Sequence, residues 1–187
     1  MKVKILVVTV LILATLIVVI PQAINEFRAQ LTGYQEVPAV STPASGTMRA
    51  RITDDQTGGR ISFEGRIQYE LNYANLEGNV TQAHIHLGQP SVNGGISVWL
   101  CSNLASPPTP AGTQPCPASP GTLFGSFTGA NIIGPAAQGL APGEFAELVR
   151  AMRAGKTYVN VHTDKFPGGE VRSLIVVGEE ENNFPSQ

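Results

Sequence analysis

Two short segments of alternating apolar and polar residues contain all three histidines of this 187-residue chain. The first segment, 83–88, reads AHIHLG, and the second, 158–163, reads YVNVHT. Successive side chains of an extended strand point to opposite faces of a sheet, so His84 and His86 share one face while their apolar neighbours share the other. The same alternation turns His162 away from the valines of the second segment. The pattern predicts two β-strands whose imidazoles converge if the strands lie side by side.

The rest of the chain is typical of a turn-rich β-protein. It has 20 glycines and 14 prolines, and only 14% of its residues are charged, which fits many short strands better than a helical bundle. Runs of apolar and β-branched residues between glycine- and proline-rich turns predict strands. The first strand is expected at an edge of the sheet because it ends at Pro38. The predicted strands are 27–38, 47–53, 60–73 (one bulged strand or two), 80–87, 96–101, 121–128, 156–163 and 170–177.

One helix is predicted over residues 144–154, where four apolar residues recur at helical spacing and Gly155 follows as a cap. This apolar stripe favours docking on a sheet over a binding surface. We therefore expect an all-β fold, an antiparallel β-sandwich or flattened barrel of about eight or nine strands with one short helix, together with an N-terminal hydrophobic helix. The residues of the stripe are Phe145, Leu148, Val149 and Met152.

Residues 1–23 predict a signal peptide or a membrane anchor. Within them, 5–20 form an apolar run broken only by two threonines, preceded by two lysines and closed by Pro21. A helix of this length spans about 24 Å, short of the roughly 30 Å hydrocarbon core but longer than most signal-peptide cores. An uncleaved anchor is favoured, because cleavage after Ala23 would put Pro21 where a small residue is needed. The lysines are expected to stay on the cytoplasmic side, which puts the domain outside the cytoplasm, either secreted or anchored by one helix. The alternative is that the apolar run is a buried helix of the domain.

Charge argues against nucleic acid as a partner. Beyond the N-terminal segment the chain has ten basic and fourteen acidic residues, and the basic residues form no cluster in the sequence. Residues 24–29 are expected to be a connector and 179–187 an acidic, flexible tail. The remaining length suits one domain with a proper core.

The two cysteines, Cys101 and Cys116, flank a proline-rich loop. Cysteines of exported chains usually pair, so a local disulfide that closes this loop is predicted. A second metal site is the alternative, although no histidine lies near either cysteine in the sequence.

The three histidines are predicted to bind a transition-metal ion. Neutral imidazole is a common ligand of copper and zinc, and three protein nitrogens plus a water form an open site. Structural hydrogen bonding by the histidines is the alternative. Glu170 and Arg172 share a strand face, where we expect a surface ion pair worth less than about 1 kcal/mol rather than an arginine that guides anions. The candidates for orienting the rings from outside are Gln82, Asn160, Asp164 and Glu170, with Arg172 beside the open position.

Three ordered blocks of sequence resemble the CHRD domain, a family first described in the chordin proteins and common in exported proteins of bacteria and archaea. The resemblance covers 30–178 and includes both histidine segments. It implies a domain displayed outside the cell but does not imply the growth-factor partners of chordin. The blocks are 31–38 with 42–47, 83–86 with 93–95, and 154–163 with 167–172.

The order and facing of the histidines are also similar to part of the copper site of copper/zinc superoxide dismutase, a β-sandwich. This chain has no fourth histidine to complete that site. The first hypothesis is therefore an exported binding module that holds copper or zinc through His84, His86 and His162. The others are a superoxide-handling copper enzyme, which is less favoured, and a metal-free structural or adhesive domain that binds an extracellular protein or glycan. An uncleaved N-terminal segment would add the membrane as a partner.

Overall fold

The computed structural model describes residues 25–53, 65–105 and 109–178. The predicted N-terminal helix, the acidic tail and the beginning of the predicted strand 60–73 lie outside these ranges. The described residues form nine strands and one α-helix, and none of their helices is long and apolar enough to cross a membrane. The elements are β1 (Glu26–Thr32), β2 (Ser45–Thr53), β3 (Arg66–Ala74), β4 (Val80–Leu87), β5 (Gly95–Ser102), β6 (Gly121–Thr128), α1 (Phe145–Arg153), β7 (Thr157–Thr163), β8 (Val171–Leu174) and β9 (Val176–Val177).

The strands form a single antiparallel sheet that is nearly closed into a barrel. The strand order is β5-β4-β7-β8-β1-β2-β3-β6, with the short β9 paired to β1. The open side lies between β5 and β6. It is narrowed by a bridge between Val98 and Ile132 and by the Tyr69 hydroxyl, which donates a hydrogen bond to the Leu100 carbonyl at 3.1 Å. The all-β, barrel-like expectation is confirmed, as is the single helix in the described ranges.

The expectation of an edge strand ending at Pro38 is wrong. β1 pairs with β2 on one side and with β8 and β9 on the other. It ends at Thr32, and a 3₁₀ helix, Gly33–Gln35, follows. Pro38 lies beyond the strand, so its lack of an N–H removes no hydrogen bond from the sheet and does not restrict β1 to an edge.

Alternate residues of each strand fill the barrel interior, as the period of two predicts. In β1 the buried residues are Phe27, Ala29 and Leu31, and in β4 Ala83 and Ile85 point to the same core. The four apolar residues of the α1 stripe are also fully buried. Phe145 packs directly on Gly65, where an added Cβ would lie 2.3 Å from the Phe145 ring, so a larger residue there would displace the helix.

The predicted disulfide is present. Cys101, at the end of β5, is bonded to Cys116, and both are buried. Asn103 holds the returning segment in place: its side chain donates to the carbonyls of Val80 and Cys116 and accepts from the Cys116 N–H. The bond therefore ties the edge strand β5 to the segment that leads into β6.

Replacing both cysteines by alanine is expected to lower the free energy of unfolding by about 3 kcal/mol, because the closed loop no longer limits the unfolded chain. Urea denaturation of the double variant, followed by Trp99 fluorescence, measures this loss. The wild type treated with a reductant is the matched control and should unfold at the variant's urea midpoint. Equal midpoints for the oxidised and reduced wild type would contradict the prediction.

Candidate metal centre

The three histidines lie on the face of β4 and β7 that points away from the core. β4 is paired with β5 and β7, so His84 lies opposite both Trp99 of β5 and Asn160 of β7. Asn160 in turn lies opposite Arg172 of β8. His162 is two residues further along β7 and shares this face. The predicted facing of the two histidine segments is confirmed.

This outward face is covered by three loops, residues 33–40, 88–94 and 164–169. The Asn93 side chain donates to the Val37 carbonyl, which joins the first two loops at 3.1 Å. As a result His84 is only 1% exposed, and His86 and His162 are each 7% exposed. The histidines form a closed cluster beneath the loops rather than an open surface site.

The imidazoles converge closely. One nitrogen from each ring can be chosen so that all three lie within 4.8 Å of one another. His84 Nδ1 is 3.2 Å from His162 Nε2, and the ring centroids of His84 and His86 are 5.3 Å apart. With metal–nitrogen bonds of about 2.0–2.1 Å, such spacing suits one ion bound by all three rings.

Two of the rings are oriented by main-chain carbonyls. His86 Nδ1 lies 3.0 Å from the Gly94 carbonyl oxygen, and His162 Nδ1 lies 2.9 Å from that of Pro167. A carbonyl only accepts, so each Nδ1 carries the proton and each Nε2 presents a lone pair. This is the arrangement in which a histidine's second nitrogen fixes the tautomer of a metal ligand.

Burial keeps the histidines neutral. Burial, together with the neighbouring His162 and His86 as like charges, lowers the pKa of His84 to about 2. Burial also lowers the pKa of His86 to about 4, against the opposing effect of its hydrogen bond to Gly94, and lowers the pKa of His162. A neutral imidazole is the form that binds a metal, so protons compete weakly for this cluster near pH 7.

Polar atoms on this face lack partners. Among the described residues none makes a hydrogen bond to His84 Nε2, His86 Nε2, Trp99 Nε1 or Asn160 Oδ1, although all four atoms are buried. An unsatisfied buried polar group costs about 1–3 kcal/mol, and native proteins contain few of them. Their position beside three convergent imidazoles means that this face could accommodate an ion.

An aromatic stack connects the cluster to Arg172. The Tyr158 ring is parallel to the His86 ring with centroids 4.7 Å apart, and the Arg172 guanidinium lies over the Tyr158 ring, 4.7 Å from its centroid. Arg172 is 4% exposed and donates to the Gln35 carbonyl and to Asn93 Oδ1. Its role in the fold is to fasten two covering loops over the histidines.

Two of the side chains predicted to orient the rings, Asp164 and Glu170, form hydrogen bonds with other groups. Asp164 accepts from the Asn79 backbone and side chain, and Glu170 accepts from Thr42, Glu77 and Thr163. The proposed Glu170–Arg172 ion pair is absent between these two described residues; Arg172 instead pairs with Glu36, whose Oε2 lies 3.9 Å from Arg172 Nε. Gln82 lies opposite His162 in the ladder, and Asn160 lies within the cluster.

Sequence reasoning missed four contributors to the site. Trp99 and Tyr158 could have been found, because the same period-two alternation puts them on the histidine face of their strands. Gly94 and Pro167 could not, because they act through carbonyl oxygens that every residue has. The Trp99 ring meets His84 edge-on, with centroids 4.2 Å apart.

Comparison with known proteins identifies the family but adds no characterised relative. No curated protein and no solved structure matches the chain. The family model described as the CHRD domain matches residues 27–175, which include every strand from β2 to β8, the helix, the disulfide and all three histidines. The predicted resemblance is confirmed, and the chain belongs to the CHRD domain family.

Proposed function

We propose that this CHRD domain is a metal-binding module that holds one copper or zinc ion through His84, His86 and His162. The observation that carries the proposal is the buried convergence of three neutral imidazoles, two of which have Nδ1 fixed by a carbonyl and Nε2 left with a lone pair. Hydrogen bonding alone leaves His84 Nε2 and His86 Nε2 without partners. A bound ion would give such unpartnered nitrogens a ligand role, which the hydrogen bonds of the chain do not explain.

The chemistry of the donor set supports copper or zinc. Imidazole nitrogen suits both ions, whereas calcium and magnesium require oxygen ligands. The closed surroundings favour retention of an ion over turnover of a substrate, since all three histidines are at most 7% exposed. A binding module is therefore preferred to a superoxide-handling enzyme.

The domain is proposed to act outside the cytoplasm. A buried disulfide is typical of oxidising compartments. The apolar run of residues 5–20, with lysines before it, would serve as an export signal or as an anchor that makes the membrane a partner. Expression of the full chain in its host, followed by fractionation and N-terminal sequencing, distinguishes a cleaved from an anchored form.

Trp99 provides a direct test of metal binding. It is the only tryptophan of the chain and its ring contacts His84, so all tryptophan fluorescence comes from the edge of the cluster. Cu²⁺ is expected to quench this fluorescence strongly and to saturate near one equivalent. Zn²⁺, which has no redox chemistry, is expected to quench little but to compete with Cu²⁺ for the site.

The controls are two variants that keep the barrel. In the His84/His86/His162 triple alanine variant, Cu²⁺ should quench no more than free tryptophan, and metal analysis should find no bound ion. Tyr34→Ala, at a side chain that is 72% exposed, should behave like the wild type. A folded wild type that binds neither ion would sink the proposal and leave a structural or adhesive domain that binds an extracellular protein or glycan.

A further inference from the structure

Asn160 is an amide at a position where a strand ordinarily buries an apolar residue. It is 3% exposed and lies in the middle of the covered face, opposite His84 on one neighbouring strand and Arg172 on the other. Asparagine is depleted in strands, and burying its amide without compensation costs about 1–3 kcal/mol. A residue with this cost and this location needs an explanation.

The hydrogen bonds of the apoprotein do not supply one. Asn160 Oδ1 has no hydrogen-bond partner among the described residues. Asn160 lies directly opposite His84 in the ladder, so its side chain is on the same face as the imidazoles. Asn160 Oδ1 is thus a buried acceptor without a partner on the face that also carries the unpartnered Nε2 atoms of His84 and His86, an arrangement that favours a cation.

We infer that the Asn160 carboxamide oxygen is the fourth ligand of the metal site. This inference rests on the proposed metal-binding function and adds the residue that completes it. Three imidazole nitrogens and one amide oxygen make a four-coordinate set, which zinc accepts in tetrahedral geometry and copper accepts with nitrogen and oxygen donors. All four donors are neutral, so they do not compensate the positive charge of the ion. All four belong to the paired strands β4 and β7.

A fourth protein ligand changes what the site can do. A catalytic site keeps one position for water or substrate, whereas a site filled by protein ligands holds its ion without exchange of a small molecule. The cover of the three loops and the low exposure of the histidines fit the second type. The inference predicts a module that stores or presents an ion and excludes external anions from it.

Azide binding to the Cu²⁺-loaded protein tests the inference. Azide gives a new charge-transfer absorption when it joins the copper coordination sphere. The wild type is expected to show no azide band. Asn160→Ala is expected to show one and to lose at least tenfold in Cu²⁺ affinity, since even residues that only orient ligands contribute roughly 10–100-fold. Asn160→Asp, which keeps an oxygen in the same place, is expected to bind Cu²⁺ at least as tightly as the wild type and to remain without an azide band.

The outcomes separate this inference from the proposed function. An azide band in the wild type, or equal Cu²⁺ affinity in the wild type and Asn160→Ala, would show that Asn160 is not a ligand while leaving the three-histidine site intact. Failure of the wild type to bind copper or zinc at all would overturn both. Circular dichroism of the apo variants confirms that the barrel is retained, and Asn160→Asp supplies the second variant if Asn160→Ala does not fold.

Discussion

Glu170→Ala is expected to lower the free energy of unfolding by about 4 kcal/mol, which makes it one of the most damaging substitutions in the domain. The Glu170 side chain is fully buried and accepts hydrogen bonds from the Glu77 N–H at 2.7 Å, from Thr163 Oγ1 at 2.8 Å and from Thr42 Oγ1 at 2.9 Å. Bonds to a charged acceptor contribute about 1.5–3 kcal/mol each, and alanine would leave the buried Thr163 hydroxyl and the Glu77 N–H without this acceptor. Urea denaturation of the apo domain measures the loss.

Glu170→Gln is the matched control. Its amide oxygen can still accept from the Glu77 N–H, and its amide nitrogen can donate to a threonine hydroxyl, since hydroxyls also accept. Its destabilisation should therefore be less than half that of Glu170→Ala. Equal losses would show that charge rather than geometry dominates, and a loss below about 1 kcal/mol for alanine would refute the assignment.

Glu170 also supports the histidine cluster indirectly. Its bond to Thr163 closes the loop 164–169 onto the end of β7, and this loop supplies the Pro167 carbonyl that orients His162. Glu170→Ala is accordingly expected to weaken metal binding, whereas Glu170→Gln should not. The sequence predicted Glu170 beside the site, but its influence reaches the site through a loop instead of an ion pair with Arg172.

Much of the barrel was predictable because each strand is amphipathic. β4 and β6 have the bounds that were predicted for them. The helix α1 is one residue shorter at each end than the predicted range 144–154. The last predicted strand, 170–177, is interrupted at Ile175, which is buried and donates to the Thr157 carbonyl. Such breaks depend on packing between distant residues, which the local period of two does not contain.

The ligands of the candidate site were predictable, but its enclosure was not. Alternation placed the three histidines on one face, and nothing local indicated that the loops 33–40 and 88–94 would cover it. The contacts that fasten them, such as Arg172 to the Gln35 carbonyl, join residues far apart in sequence and use main-chain acceptors. The expectation of an open site followed from counting three histidines, whereas the buried Asn160 was visible only once the strands were paired.

Acid is expected to destabilise the metal-free domain well above the pH at which ordinary carboxylates are protonated. The pKa of His84, His86 and His162 is lowered in the folded state by burial, so between about pH 6.5 and pH 4 the unfolded chain binds protons that the folded chain does not. Folding stability therefore falls as the pH falls through this window. Each histidine that is protonated only in the unfolded chain lowers the free energy of unfolding by about 1 kcal/mol for every pH unit of acidification. The total predicted loss is several kcal/mol by pH 4.5.

Glu36 acts in the opposite direction. Burial raises the pKa of Glu36 to about 7, with Arg172 lowering it in part, so the stability it contributes is present at acid pH and is lost as the pH rises through about 7. Glu36→Gln removes this compensation and should make the acid loss steeper.

A variant without the three histidines separates their acid effect on stability from the opposite effect of Glu36. The apo His84/His86/His162 triple alanine variant should lose the acid sensitivity and become more stable towards pH 4.5, because the raised pKa of Glu36 then favours the folded state as the pH falls. Urea midpoints measured from pH 7.5 to 4.5 for the apo forms provide the comparison. A Glu36→Gln variant whose urea midpoint stays constant over this range would mean that the folded state protonates its histidines, which three rings packed under closed loops should prevent. Since protons and metal ions would require the same nitrogens, the lowered pKa values of the folded histidines, and not the pH at which the apo domain begins to weaken, would set the acid limit of metal retention by the folded domain.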